Sequence, residues 1–319
     1  MDQVAPHTTW RRYRRPGLAI LLMVAAAAGV RGQQVFRSGT DAVAMTVTVT
    51  DGGNRLVAGL EQEDFQVFED QVPQDITTFS RQPQPIALSL VIDTSASMES
   101  KLPIAQEAAM GFVRRMGPED RVQIIDFDST IKVLQQFSGD REALERAIKR
   151  TEPGGSTSLY NAMYTAITDL KRIGQDPGSP ENRRYAVVLL SDGEDTSSIV
   201  PYDDVLELAK RAGVIVYAIG LREKLKPGAS HTTGWKQAEY DLKQLSTDTG
   251  GRTFFADDVA QLPSYYSQIA DELSNQYTLG YTSKNQKRDG AWRKILVRLA
   301  RPNMTARTKA GYFGPTVPR

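Results

Sequence analysis

Between residues 86 and 275, short apolar runs alternate with longer segments whose apolar residues recur at helical spacing, and this rhythm constrains the fold more than any other feature of the chain. In the first run, Ile86, Ala87, Leu88, Leu90, Val91 and Ile92 are interrupted only by Ser89, too apolar for a strand with one wet face. Ile104, Ala108, Phe112 and Met116 follow at intervals of four, as on a helix. The same reading assigns strands to 121–127, 131–134, 185–190, 214–219 and 253–255, and helices to 141–148, 159–173, 202–212, 240–249 and 262–275. Such alternation implies an α/β architecture: an open, doubly wound, mostly parallel sheet with helices on both faces and 131–134 as an antiparallel edge. The segment is long enough for one domain of this kind.

The flanks read differently. Val43, Met45, Val47 and Val49 alternate with small or polar neighbours, the pattern of a half-buried strand, and Asp51-Gly52-Gly53-Asn54 supplies a turn after it. Runs at 65–68 and 76–79 add two short strands, separated by 69–73. So few strands need a partner sheet. Candidates lie at the far end, at 277–281, at 292–299 with Ile295, Val297 and Leu299 on one face, and at 305–310. The expectation is a small discontinuous β-sandwich formed by both termini, with 33–82 and 276–319 flanking an α/β domain at 83–275 and Gln82-Pro83-Gln84-Pro85 as the hinge. Residues 174–180 and 221–234 read as exposed loops, the second as an insert.

Residues 1–32 are unlike the rest. Arg11, Arg12, Arg14 and Arg15 precede an apolar run at 18–30 that ends in small residues, the layout of a secretory signal with cleavage near Gly32. The run is short of the roughly 20 apolar residues a spanning helix needs, which makes an uncleaved N-terminal anchor the lesser alternative. The expected location is therefore exported, periplasmic or secreted. Cleavage leaves 34 basic residues against 37 acidic, a poor balance for a nucleic-acid binder. The absence of cysteine excludes disulfide scaffolds, thiolate metal sites and thiol catalysis, and two histidines leave little material for His-assisted nucleophiles.

In an open α/β sheet, ligands sit beyond the carboxyl ends of the strands. Three segments are placed to meet there: Asp93-Thr94-Ser95-Ala96-Ser97, Gly154-Gly155-Ser156-Thr157-Ser158, and Ser191-Asp192-Gly193-Glu194-Asp195. They offer hydroxyls at Ser95, Ser97 and Thr157 and carboxylates at Asp93 and Asp192, an all-oxygen set suited to a hard divalent cation. Mg²⁺ is the first expectation, with Mn²⁺ or Ca²⁺ as alternatives. Mg²⁺ keeps several waters, so hydroxyls can bind it directly while carboxylates act one shell out. With neutral inner ligands the ion stays electron-poor and can accept an anionic oxygen from a partner protein. Gly154 and Gly155 suit a loop that bends tightly near the ion.

Asp93-x-Ser95-x-Ser97 with Thr157 and Asp192 resembles the metal-ion-dependent adhesion site of von Willebrand factor type A (VWA) domains, whose Rossmann-like element order the segment 86–275 also follows. The resemblance implies that Ser95, Ser97 and Thr157 coordinate the ion directly and Asp93 and Asp192 through water. The flanks are similar to a bacterial group of exported VWA-related proteins, through Phe36-Arg37-Ser38-Gly39, the stretch 60–70, and Thr249-Gly250-Gly251-Arg252 before Phe254-Phe255. The likeness runs from about Gln33 to about Tyr312. It departs at 221–234, which looks longer than usual, and at Asp128, to which no role is assigned.

Taken singly, the Asp93 segment reads as a turn capping a helix near Lys101, and the segments at Ser191 and Gly154 as turns. Glu194, Asp195, Asp203 and Asp204 read as solvated or helix-starting charges, and Tyr265, Tyr266 and Ile269 as core and flank. The signal lies in the combination. An aspartyl-phosphate type phosphatase needs a second carboxylate two residues after its nucleophile, where this chain has Ser95. Serine-hydrolase elbows and Walker loops are absent. The expectation is an exported, non-enzymatic adhesion or assembly module, without catalytic residues, that uses Mg²⁺ to bind an acidic residue of a partner protein. The alternatives are an Mg²⁺-dependent phosphatase-like hydrolase and a structural envelope module with a non-functional ion site.

Overall fold

A computed structural model describes residues 42–176, 183–192, 194–222 and 233–317. The expected leader at 1–32 and most of the 221–234 insert lie outside these residues. No helix among the described residues is long and apolar enough to cross a membrane.

The central sheet has six strands: β5 (Ile86–Asp93), β6 (Arg121–Phe127), β7 (Ile131–Ser138), β8 (Arg184–Ser191), β9 (Ile215–Leu221) and β10 (Thr253–Ala256), in the order β10-β9-β8-β5-β6-β7. All neighbours are parallel except β6 and β7, so the antiparallel edge falls where the sequence placed it. Alternation along β5 explains its unbroken apolar run. Leu88, Leu90 and Ile92 pack with residues of α1 (Leu102–Arg114), α2 (Arg141–Ile148) and α6 (Leu262–Ser274), whereas Ala87 and Val91 join a second cluster with α3 (Leu159–Gly174), α4 (Tyr202–Ala212) and α5 (Thr233–Thr249). Tyr266 and Ile269 are core, as expected, and Tyr265 packs against it.

Of the expected stripe Ile104, Ala108, Phe112 and Met116, the last three are buried, and only Ile104, at 43% exposure, faces away. Leu102, Ala105, Ala109, Met110 and Val113 of α1 are buried beside them. A spacing of four advances about 40° per step around the helix, so the first member of such a row lies off the face that the later members share.

Strands from both ends of the chain build two four-stranded sheets. One has the order β13-β1-β11-β4, from β1 (Ala42–Asp51), β4 (Ile76–Ser80), β11 (Tyr277–Thr282) and β13 (Met304–Arg307). The other has the order β14-β12-β2-β3, from β2 (Phe65–Glu69), β3 (Val72–Gln74), β12 (Trp292–Leu299) and β14 (Gly311–Phe313). Val47 of β1 pairs with Tyr277 of β11, and the inward residues Val43, Met45, Val47, Phe65, Val67, Leu279, Ile295 and Val297 share one core. The pairing of β1 with β11 makes the sandwich a product of both termini.

Two short strands escaped the sequence reading. The sequence reads 69–73 as a separator, yet Val72–Gln74 pairs with β2 through a two-residue turn in which Asp70 and Gln71 have φ of 45° and 72°. That is the left-handed geometry of a tight hairpin, and Pro73 is tolerated because β3 is an edge strand. The expected terminal strand at 305–310 is shorter, as β13 ends at Arg307, and β14 at Gly311–Phe313, beyond the expected range, pairs with β12.

Candidate metal centre

The chain leaves β5 for α1 on one side of the sheet, while β8 lies against the other edge of β5. The strand order therefore reverses at this pair, the position at which open α/β sheets place their ligands. Asp93 is the last residue of β5 and is fully buried; Ser191 ends β8, and Asp192 follows at 8% exposure. Ser191 Oγ donates to Asp93 Oδ2 at 2.6 Å, joining the two strand ends.

The Asp93 loop closes on itself. The Ser95 N–H donates to Asp93 Oδ1 at 2.8 Å, and Met98 N–H to the Ser95 carbonyl at 2.9 Å, forming a short 3₁₀ turn anchored by the buried Met98. Ser95 Oγ and Ser97 Oγ lie 3.1 Å apart, and Ser97 Oγ donates to Asp192 Oδ1 at 2.8 Å. Asp93, Ser95, Ser97 and Asp192 thus meet in one connected group.

Thr157 arrives through its backbone. Gly154 N–H donates to the Thr94 carbonyl at 2.7 Å and Ala96 N–H to the Gly155 carbonyl at 3.2 Å, so the glycine loop is stitched to the Asp93 loop. Gly155 has φ +70°, and a Cβ there would lie 2.8 Å from Ser129 Oγ, which explains why this bend takes glycine. The Thr157 N–H donates to Thr196 Oγ1 at 3.0 Å, and its carbonyl accepts from Thr196 and Ser197. Among the described residues, the Thr157 hydroxyl makes no hydrogen bond to the other four side chains.

Several supporting residues were not found from sequence. Asp128, without a role there, bonds Thr130 N–H at 2.6 Å through its carboxylate, and its carbonyl accepts from Ser158 N–H at 2.9 Å, so it braces the Thr157 loop. Asp195, read as a solvated charge, accepts from Ser198 Oγ at 2.5 Å and from the Tyr160 N–H at 3.3 Å. Asp203 and Asp204 do lie in the first turn of α4. Thr94 bonds the buried Asp126. Most consequential is Lys101, whose ammonium pairs with Asp192 Oδ2.

The electrostatics suit a cation. Burial raises the Asp93 carboxyl above its ordinary range; hydrogen bonds from Ser191 and Ser95 oppose the shift, and the negative Asp192 adds to it. Two buried carboxylates beside the hydroxyls of Ser95 and Ser97, with Thr157 in the adjoining loop, are oxygen donors of the kind a hard divalent ion takes. Among the described residues, no group of three or more His, Cys, Asp or Glu side chains is placed to hold a metal.

An α/β domain with a mixed, mostly parallel sheet and oxygen-bearing side chains gathered at its strand switch defines the class. The chain belongs to the von Willebrand factor type A domain family, whose model matches residues 88–268. Among curated relatives, a UPF0353 protein of Mycobacterium tuberculosis is 26% identical over 227 residues, covering 66% of this chain and 67% of the relative. A UPF0353 protein of Nocardia farcinica is 25% identical over 221 residues, covering 61% and 65%. Among solved structures, a von Willebrand factor type A protein from Catenulispora acidiphila is 13% identical with a TM-score of 0.47, covering 85% of this chain and 74% of that one.

Proposed function

We propose that this protein is an exported binding module, with 1–32 as its signal segment, 83–275 as the ligand-binding domain and 33–82 with 276–319 as its sandwich. In this reading Asp93, Ser95, Ser97, Thr157 and Asp192 hold a divalent cation, Mg²⁺ first, and a partner protein supplies an Asp or Glu carboxylate. Bound there, the ion would offer a coordination position to that carboxylate. The supporting observation is the convergence of Asp93, Ser95, Ser97 and Asp192 at the ends of two adjacent strands.

The chain's own groups do the positioning. Ser191 and the Ser95 N–H fix both oxygens of Asp93, while Ser97 fixes Oδ1 of Asp192 and the Lys101 ammonium occupies its Oδ2. The glycine loop, tied at both 94 and 96, sets the position of Thr157. Binding rather than hydrolysis is favoured because Ser95 stands where a phosphatase would place its second carboxylate.

The test is capture of partners from envelope extract by the immobilised protein. Retention is expected with Mg²⁺ present, with release by chelator. Ser97→Ala should weaken metal-dependent capture by about tenfold or more, because it removes one oxygen ligand and the hydrogen bond to Asp192 Oδ1, worth roughly 1.5–3 kcal/mol for a bond to a charged group. Chelator-sensitive capture of equal strength by Ser97→Ala and by Asp192→Ala would refute the reading.

A further inference from the structure

A cavity of about 320 Å³ opens at the amino ends of β8 and β9, the opposite end of the sheet from Asp93. It is bounded by Arg184 and Ile215 of those strands, by Met45 of β1 and by Lys309, which follows β13. Its volume is at the lower end of the range for small-molecule sites.

The charges around it do not balance. Asp248, the one carboxylate on its wall among the described residues, is already paired with Lys210 at 2.6 Å and accepts from Gln244 at 2.8 Å. Arg184 is 8% exposed and has only neutral partners: Nη1 donates to Gln276 Oε1 at 2.6 Å, Nη2 donates to the Gln84 carbonyl at 2.8 Å, and Nε has no hydrogen-bond partner. Lys309 forms no ion pair among the described residues, and its one close cation–π neighbour is the Tyr312 ring at 6.0 Å. Burial alone pushes the Lys309 amine from 10.5 down to about 8. Arg184 is thus a buried cation without a counter-charge and Lys309 a half-buried one on the same cavity, a costly arrangement that an anion entering beside them relieves.

We propose that this cavity binds a small organic anion, its carboxylate held by Lys309 and Arg184 and its apolar body against Met45, Ala209, Val214 and Ile215. A monoanion is favoured over phosphate on two grounds. Both Nη atoms of the Arg184 fork are already engaged, so no bidentate phosphate clamp is available. Met45, Ala209, Val214 and Ile215 line the cavity beside Thr46, Thr249 and Thr278, and this partly apolar wall of neutral groups penalises a dianion more than a monoanion. The site is separate from the metal centre and does not depend on it.

Hexanoate and benzoate serve as probes on the full chain, with inorganic phosphate as comparison. Mass spectrometry follows acetylation of each lysine, because a carboxylate beside Lys309 stabilises its ammonium and removes the reactive amine. Hexanoate or benzoate is expected to slow acetylation of Lys309 by about tenfold, the size of a charge-assisted hydrogen bond, while exposed Lys149 is unaffected. Either probe should also raise the melting temperature of the wild type, and Lys309→Met should abolish that gain. Unchanged Lys309 acetylation with both carboxylates, or an equal gain in Lys309→Met, overturns the proposal. Phosphate protecting Lys309 as well as hexanoate does overturns the carboxylate assignment. The acetylation readout needs no variant, so the proposal stays testable if Lys309→Met fails to fold.

Discussion

Replacing Glu69 by Ala should lower the stability of the fold by about 3–5 kcal/mol, the usual consequence of removing one member of a buried ion pair, and its melting temperature by roughly 6–15 °C. Glu69 and Arg293 are 2% and 1% exposed, with Arg293 Nη1 3.7 Å from Glu69 Oε1. Glu69 Oε1 accepts from Ser283 Oγ at 2.7 Å, and Oε2 accepts from Tyr281 at 2.7 Å and Tyr312 at 2.9 Å. One carboxylate therefore ties β2 to β11, to the loop after it and to β14, joining strands more than 200 residues apart. Alanine would leave a buried guanidinium without its counter-charge and two tyrosine hydroxyls without their acceptor. Glu69→Gln keeps an acceptor and should lose less. Denaturant melts of the three proteins measure the difference, and a loss below about 1 kcal/mol for Glu69→Ala would show that the network does not hold the sandwich together.

Lys101→Met should tighten Mg²⁺ binding by about tenfold or more while destabilising the metal-free protein by about 1–3 kcal/mol. The Lys101 side chain is 24% exposed, and that of its partner Asp192 is fully buried. In the proposed site, ammonium and divalent ion compete for one carboxylate. Removing the ammonium leaves Asp192 unpaired until metal enters, so the gap between the melting temperatures with Mg²⁺ and with chelator should widen. Asp192→Ala should do the opposite, losing the metal response altogether. Weaker Mg²⁺ binding in Lys101→Met would mean that Lys101 positions Asp192 rather than competing for it.

The elements legible in the sequence were those whose signal is local and repeated. β5 and β8 are buried on both faces and read as near-continuous apolar runs, while α3 and α4 carry a clear helical stripe. β3 and β14 have three residues each, too few for a period to register. The buried charges had an unused signal. Arg293 shares the parity of Ile295 and Val297, and Glu69 that of Phe65 and Val67, so strand alternation alone directs both inward. At the candidate site, the residues offered by the motif were visible because chemistry and position coincide at strand ends. Ser191, Lys101 and Asp128 were not, since each matters through a partner 98, 91 or 30 residues away, and sequence proximity carries no trace of that pairing.

The metal centre is tested most directly by calorimetric titration of the full chain with MgCl₂ and with MnCl₂, alongside Ser97→Ala and Asp192→Ala variants with unchanged circular dichroism. One saturable site per chain in the wild type, lost in both variants, is the predicted result. A wild type with no saturable heat for either ion, or variants with the wild-type isotherm, would contradict it.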